Sequence, residues 1–225
     1  MGAAETGAAE VTAETVERAT LERQVQYDRA GDEHYDTISA FIKSVRGSDP
    51  DAALFWLAKM LRAGEAPEFI SRRLIILASE DIGNADPHAL PLVVATASTV
   101  ERLGLPEARY ALAQATIYLA CAAKSNAAGR ALEAAEQAIE QGADVGVPLH
   151  LRNASFSGAK AHGHGAGYKY AHDYPGNYVK QSHLPASVEE LGFYDGRGAG
   201  YERVMWEALQ ARRRAGDAGE SEPDQ

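Results

Sequence analysis

Cysteine is nearly absent from this sequence, which holds one, Cys121, among 225 residues. A single cysteine excludes a disulfide within the chain and is typical of a reducing compartment, so we expect a cytoplasmic protein. Cys121 lies in an alanine-rich stretch, LACAA, that predicts a helix. We therefore predict a buried, unreactive thiol rather than a nucleophile, because free cysteine behaves as a small apolar residue.

Long apolar runs are also missing. Spanning a bilayer takes about 18 or more consecutive apolar residues, and no stretch of the sequence approaches that length. The first ten residues, MGAAETGAAE, carry neither the basic region nor the apolar core of a secretory signal. Gly2 and Thr6 formally match a myristoylation pattern, but no polybasic segment follows to complete an anchor. We expect no membrane partner.

Basic residues are fewer than acidic ones. The sequence has 22 Lys and Arg against 32 Asp and Glu, which gives a formal net charge of −10. That balance argues against a general affinity for nucleic acid or for an anionic membrane. Part of the acidic excess lies near the two ends, at 5–17 and 217–224, so the middle of the chain is closer to neutral. A local basic patch remains compatible with the sequence.

Recognisable catalytic patterns do not occur. A P-loop for nucleotide phosphates has the form G-x-x-x-x-G-K-[ST], and no such run is present. No G-x-S-x-G nucleophile motif is present either. His162, His164 and His172 are the one candidate metal set, which would make the protein a helical metallohydrolase. A bare H-x-H in a glycine-rich stretch fixes neither the distance nor the direction of ligands, so we rank this hypothesis last.

What the sequence does contain is helical periodicity. Alanine dominates the apolar residues and favours helix over strand, so we predict an all-α fold. Apolar residues recur at helical spacing, and Pro and Gly mark the ends of the segments. The predicted helices are 12–27, 33–45, 50–63, 67–79, 87–103, 106–123, 127–141 and 201–214. Two consecutive pairs share a cap, glycine stop and proline restart, which predicts antiparallel hairpins or a short solenoid.

The periodicity is lost after about Val145. Glycine, histidine and tyrosine crowd residues 158–201, and an irregular stretch of this length is uncommon in a compact domain. Its aromatic residues indicate order, so we expect a segment that wraps the helical block. These residues are Tyr168, Tyr170, Tyr174, Tyr178, Phe193 and Tyr194.

Five strings of residues resemble the C-terminal region of the replication-associated recombination protein A family (RarA, also MgsA). The first is GDEHYDTISAFIKSVRGSDPDAAL at 31–54. The others are ILASEDIGNADP at 76–87, KSN at 124–126, VPLHLRNA at 147–154 and GYKYAHDYP at 167–175. Between Asn153 and Gly167 the sequence departs from the family, because a glycine- and histidine-rich run stands where the family has a short basic helix.

The resemblance covers about residues 29–214 and implies a fold and a role. The implied fold is a bundle of helical hairpins like the collar of a clamp loader, with a long ordered irregular C-terminal segment. The implied divisions are the end of an AAA+ lid helix at 12–28 and an oligomerisation domain at 29–214, between disordered tails at 1–11 and 215–225. Members are AAA+ ATPases related to the Werner-helicase-interacting protein.

The same resemblance implies the function. It predicts a homotetramerisation domain of an ATPase that acts in DNA replication, recombination and repair, in the cytoplasm and associated with the nucleoid. The chain itself would not be an enzyme, and ATP and Mg²⁺ would be bound only by the ATPase part of the whole protein. DNA ends or forks and replication proteins are the implied partners besides the chain itself.

Two sets of site residues follow. The helix at 50–63 is apolar around most of its circumference, so Phe55, Trp56 and Met60 are candidates for the oligomer interface. The alternative function is a module that binds DNA or replication proteins, for which Lys124, Arg152 and Lys169 are the candidates. Further basic residues are scattered along the chain: Arg72, Arg73, Arg130, Lys160 and Lys180.

Overall fold

The computed structural model describes residues 34–153 and 162–219. Within these ranges all regular structure is helical, which confirms the predicted all-α class. The predicted helix at 12–27 and the boundary at residues 28 and 29 lie outside the described residues. The seven α-helices are α1 at 34–46, α2 at Pro50–Arg62, α3 at Pro67–Leu77, α4 at Ala89–Leu103, α5 at Ala108–Cys121, α6 at Ala127–Glu140 and α7 at Gly200–Gly219.

Local signals in the sequence explain where these helices begin and end. The carboxylate of Asp49 accepts a hydrogen bond from the amide of Ala52 at 2.9 Å, and Pro50 occupies the first turn of α2. Pro67 opens α3 in the same way. Gly104 ends α4 with a φ of 64°, which costs glycine little because it has no Cβ.

The first five helices pack into a bundle with α5 at its centre. Helix α5 contacts α2, α3 and α4, and α3 also packs along α4. The pair α4–α5 is the antiparallel hairpin that the sequence predicts, whereas α2 and α3 are held together mainly through α5. A solenoid, in which each repeat contacts only its neighbours, does not describe this arrangement.

One apolar core fills the bundle. It draws residues from α1 to α5, and each fully buried large side chain contributes roughly 1.5–3 kcal/mol relative to exposure. The largest of these side chains are Phe41, Ile70, Leu74, Leu77, Ile82, Leu112 and Leu119. Their spacing on each helix is the periodicity that predicted the helices.

Cys121 differs from its prediction. It is exposed at the last position of α5, so the prediction of a buried thiol is wrong. The buried stripe of α5 runs through Leu112 and Leu119, while Cys121 shares the opposite face with the exposed Tyr110 and Ile117. Composition predicts the helix, but only packing decides which face is covered.

The chain after α5 is built differently. Helix α6 has no buried residue, and in the described stretches 141–153 and 162–199 the helical structure is limited to short 3₁₀ turns between irregular segments. Of the six aromatic residues expected to wrap the bundle, Tyr168, Tyr170 and Tyr174 are exposed and do not cover it, whereas the other three are half-buried: Tyr178, Phe193 and Tyr194. The segment packs instead against α7, where Tyr178 lies on Gly216.

Helix α7 is longer than predicted. The sequence placed its end near Arg214, and the structure continues it to Gly219. Residues 215–219 are therefore helical, although they were assigned to a disordered tail. The ring of Tyr178 packs on Gly216, which gives this part of the helix a covering that periodicity does not reveal. Among the described helices, none is both long and apolar enough to cross a membrane.

Candidate functional site

Three separate strings of the sequence meet at one place, which we call the junction. It consists of the π-helical turn Ala78–Ile82, the 3₁₀ turn Gly83–Ala85, the connection 122–126 and the first turn of α7. A Cβ on Gly83 would lie 2.9 Å from the carbonyl oxygen of Ser125, so glycine permits the close approach. Both α6 and α7 contact the bundle at the 3₁₀ turn of the junction.

A buried carboxylate holds α7 at the junction. Glu202 is 0% exposed and accepts hydrogen bonds from the hydroxyl groups of Ser125 and Tyr194, the second at 3.0 Å. Burial and the bond to Glu202 raise the pKa of Tyr194. Because a buried carboxylate is costly unless it is hydrogen-bonded, these partners fix the position of α7.

An ion pair connects the junction to α1. The guanidinium of Arg46 donates to both carboxylate oxygens of Asp81, at 2.6 and 3.2 Å, and to Glu80 at 3.2 Å. The hydrogen bond to Asp81 raises the pKa of Arg46. Asp81 also accepts the amide of Ser125 on its backbone carbonyl oxygen at 2.9 Å. This arrangement positions backbone and helices, and it resembles no acid–base pair aimed at a cleft.

Lys124, a predicted DNA or partner contact, lies at the junction. Its ammonium group donates to the hydroxyl of Ser48 at 3.0 Å and to the carbonyl oxygens of Leu119, Ala120 and Ala122 at 2.7–2.9 Å. Desolvation by burial lowers the pKa of Lys124. These bonds satisfy carbonyl groups at the end of α5, so the described contacts of Lys124 are those of a helix cap.

The other basic residues predicted to contact DNA or a partner protein do not come together at one place on the surface. Arg152 is exposed and donates to the carbonyl oxygen of Val147 at 2.7 Å, and Lys169 is exposed on the irregular segment. Arg73 stacks on the ring of Phe69, 4.8 Å from its centre. Lys160 lies outside the described residues. DNA binding by this chain stays a prediction.

The three candidates for the oligomer interface differ in how far α2 exposes their side chains. Phe55 is 61% exposed, while Met60 is 4% exposed and belongs to the core. Trp56 is half-buried against the core and stacks edge to face with Phe55 at 5.0 Å. Met60 therefore cannot reach a partner without disrupting α2, because its side chain points to the opposite side from Phe55.

The histidine set does not form a metal centre within the described residues. His162 and His172 are exposed, and His172 stacks near Tyr170 with 5.1 Å between the ring centres. Nowhere in 34–153 or 162–219 do three or more His, Cys, Asp or Glu side chains come together as ligands. The histidines therefore provide no geometry on which to build metal chemistry.

Sequence reasoning missed two features. Glu202 was not singled out, because an acidic residue in the first turn is an ordinary sign of a helix start and does not reveal burial. The outer face of α6 was also missed, where Leu132 is 62% and Ile139 57% exposed. Periodicity predicts the helix at 127–141, but it does not say whether the apolar stripe of a helix is covered.

The fold and the junction define an all-helical domain in which α6 and α7 are joined to a five-helix bundle at one place. Comparison with known protein families identifies the family to which the chain belongs. The family described as "MgsA AAA+ ATPase C terminal" matches residues 47–213, and the family described as "AAA C-terminal domain" matches residues 1–46. The chain belongs to the MgsA AAA+ ATPase C-terminal family, which confirms the resemblance seen in the sequence.

Named relatives agree with this assignment. Replication-associated recombination protein A of Escherichia coli is 43% identical over 189 residues, 84% of this chain and 42% of the relative. An uncharacterized AAA domain-containing protein of Mycobacterium tuberculosis is 54% identical over 195 residues, 87% of this chain and 43% of the relative. ATPase WRNIP1 of Dictyostelium discoideum is 42% identical over 170 residues, which are 75% of this chain and 19% of the relative. The chain spans less than half the length of these relatives.

Proposed function

We propose that this chain is the self-assembly domain of an AAA+ ATPase that acts in replication-associated recombination, and that it joins four copies. One observation carries the proposal: many large apolar side chains are left uncovered on helices that are otherwise well ordered. Phe55 on α2, Val94 on α4, Leu132 on α6 and Val204 on α7 are each more than half exposed. Apolar surface spread over several helices suits a protein that contacts more than one copy.

The proposal assigns different work to the two parts of the whole protein. The chain fixes the spacing of the copies, and ATP and Mg²⁺ are bound by the ATPase part, because this sequence has no P-loop run. DNA forks or ends are acted on by the assembled ATPase. We place this assembly in the cytoplasm, associated with the nucleoid. The names of the relatives support the link to replication and recombination.

The first experiment is an absolute mass by light scattering after gel filtration, at several concentrations. Four chains of 24.0 kDa would give about 96 kDa. A mass that stays at 24.0 kDa at every concentration would contradict the proposed assembly.

The same measurement tests the α2 candidate. Phe55→Glu places a charge on an exposed apolar position, so the mass should fall if α2 lies in an interface. Leu103→Glu on α4 is a control of equal exposure, 60% against 61%. Trp56→Glu is the less informative change, because Trp56 packs against the core and its loss would also destabilise the chain.

A further inference from the structure

Helix α6 carries an apolar face that the described part of the chain leaves open. Ala128, Leu132, Ala135 and Ile139 are spaced by four, three and four residues, so they form one stripe along the helix. The alanines at 131, 134 and 138 on the adjacent side are half-buried, and Ala135, at the edge of the stripe nearest to them, is half-buried as well. Leu132 and Ile139 are 62% and 57% exposed on the outer side.

The stripe alternates small and large residues in a way that is self-complementary. In an antiparallel pair centred midway between Leu132 and Ala135, Leu132 faces the partner's Ala135 and Ile139 faces the partner's Ala128. Every layer of the pair then holds one large and one small side chain, which keeps the helix separation uniform. A parallel pair would instead stack Leu on Leu and Ala on Ala, leaving wide layers next to cavities.

The charges on α6 are compatible with the same arrangement. In the register of the antiparallel pair Glu136 lies level with the partner's Ala131, so no two carboxylates oppose one another across the seam. Arg130 lies on the face of α6 away from the stripe and takes no part in the pair. Antiparallel helices also align their dipoles favourably. Size and helix dipoles therefore both select a second copy of this helix in antiparallel orientation.

We propose that α6 pairs with α6 of a second copy about a two-fold axis, through Leu132, Ala135, Ile139 and Ala128. The inference rests on the proposed self-assembly and names one of its contacts. Stable interfaces bury about 1,200–2,000 Å² in total, more than one pair of 14-residue helices supplies. The α6 pair is thus one of the two-fold contacts of a tetramer with dihedral symmetry, which has at least two.

A size swap tests the pairing. Leu132→Ala should weaken self-association about tenfold or more because it leaves cavities, and Ala135→Leu should weaken it through overpacking. The double variant L132A/A135L restores one large and one small residue per layer, so its dissociation constant should return to within about threefold of the starting protein. Light scattering over a dilution series measures each dissociation constant. Leu103→Ala, at matched exposure on α4, should have no effect.

Disulfide trapping tests the orientation. Cys121 is the only cysteine and is exposed, so it is first replaced by Ser. A mixture of L132C and A135C chains should cross-link much faster than either variant alone, because an antiparallel pair brings position 132 to position 135 of the other copy. Faster cross-linking of L132C alone would indicate a parallel pair and overturn the inference.

The outcomes separate this inference from the proposed function. If the protein self-associates but neither Leu132→Ala nor Ala135→Leu changes the dissociation constant, the α6 pair is wrong and self-assembly stands. If both single variants weaken association and the swap does not restore it, α6 contacts a surface of the other copy other than its α6, and the inference fails. A monomer at every concentration overturns both.

Discussion

The two halves of the described chain treat apolar residues in opposite ways. Among the described residues, every buried hydrophobic residue but one lies between Ile38 and Ala120, in α1 to α5 and the turns that join α3 to α4; the exception is Val188. Helices α6 and α7 are as regular as those of the bundle, yet Leu132, Ile139 and Val204 are more than half exposed. The bundle buries a large apolar core besides exposing residues such as Phe55 and Val94, whereas Val188 is the one buried apolar residue described in the second half.

This difference separates what stabilises the chain from what the chain offers to a partner. The core of the bundle contributes most of the apolar burial, so it determines folding. The second half is attached to it at the junction, through Glu202 and the polar groups around it. Attachment by a few hydrogen bonds leaves apolar residues of α6 and α7 uncovered by the described part of the chain.

The largest expected effect on stability comes from comparing the same change, leucine to alanine, made once in each half. Leu112→Ala in α5 removes a side chain that is 0% exposed, so the free energy of unfolding should fall by about 2–5 kcal/mol. Leu132→Ala in α6 removes a side chain that is 62% exposed, so the free energy of unfolding should change by less than about 0.5 kcal/mol in dilute samples. Urea unfolding of both variants measures the contrast, and equal losses would show that α6 belongs to the same core.

A smaller effect is expected where the halves join. Glu202→Ala leaves the hydroxyls of Ser125 and Tyr194 without their acceptor, which should cost about 1.5–3 kcal/mol. The loss should be local, so amide hydrogen exchange should accelerate in α7 and stay unchanged in α3 and α5.

Glu202→Gln is the control for this change. The amide keeps the shape of the carboxylate and can still accept one hydrogen bond, so α7 should be protected to an intermediate degree. Uniform acceleration of exchange across the bundle in Glu202→Ala would mean that α7 is part of one cooperative unit with α1 to α5, and that the two halves are not separable.

The smallest expected effect lies at the exposed turn before α7. Hydrogen bonds from Arg197 lower the pKa of Asp195 from 3.8 to about 2. Because the folded-state pKa is depressed, the pair stabilises the folded chain above pH 3.8, and this contribution is lost as the pH falls toward 2. Asp195→Asn should therefore lower stability slightly at neutral pH, with the difference from the parent protein shrinking in acid.

Carboxyl carbon chemical shifts of Asp195 provide the direct measurement. The titration midpoint should lie near 2 in the parent protein and return toward 3.8 in Arg197→Ala. An unchanged midpoint in that variant would show that Arg197 does not hold the carboxylate. Because the pair is fully exposed, its removal should not alter hydrogen exchange in the bundle.

Much of the fold could be predicted because its signals are local. Asp49 with Pro50, Pro67 and Gly104 mark helix ends in the sequence and do so in the structure. The candidate site was harder to predict from the sequence. Met60 and Phe55 lie on one apolar helix, and their opposite burial depends on α5, which is distant in sequence. Lys124 looked like a surface cation, and its capping of α5 depends on the return of the chain at Ser125.

The sequence by itself determined the helices and the family, because alanine content, capping residues and the five motif strings act or match locally. Only the tertiary structure decided which apolar stripes are covered. The stripe of α5 meets three other helices, while the stripe of α6 meets none of comparable extent among the described residues. Burial depends on contacts between segments far apart in the chain, and helical periodicity carries no information about them.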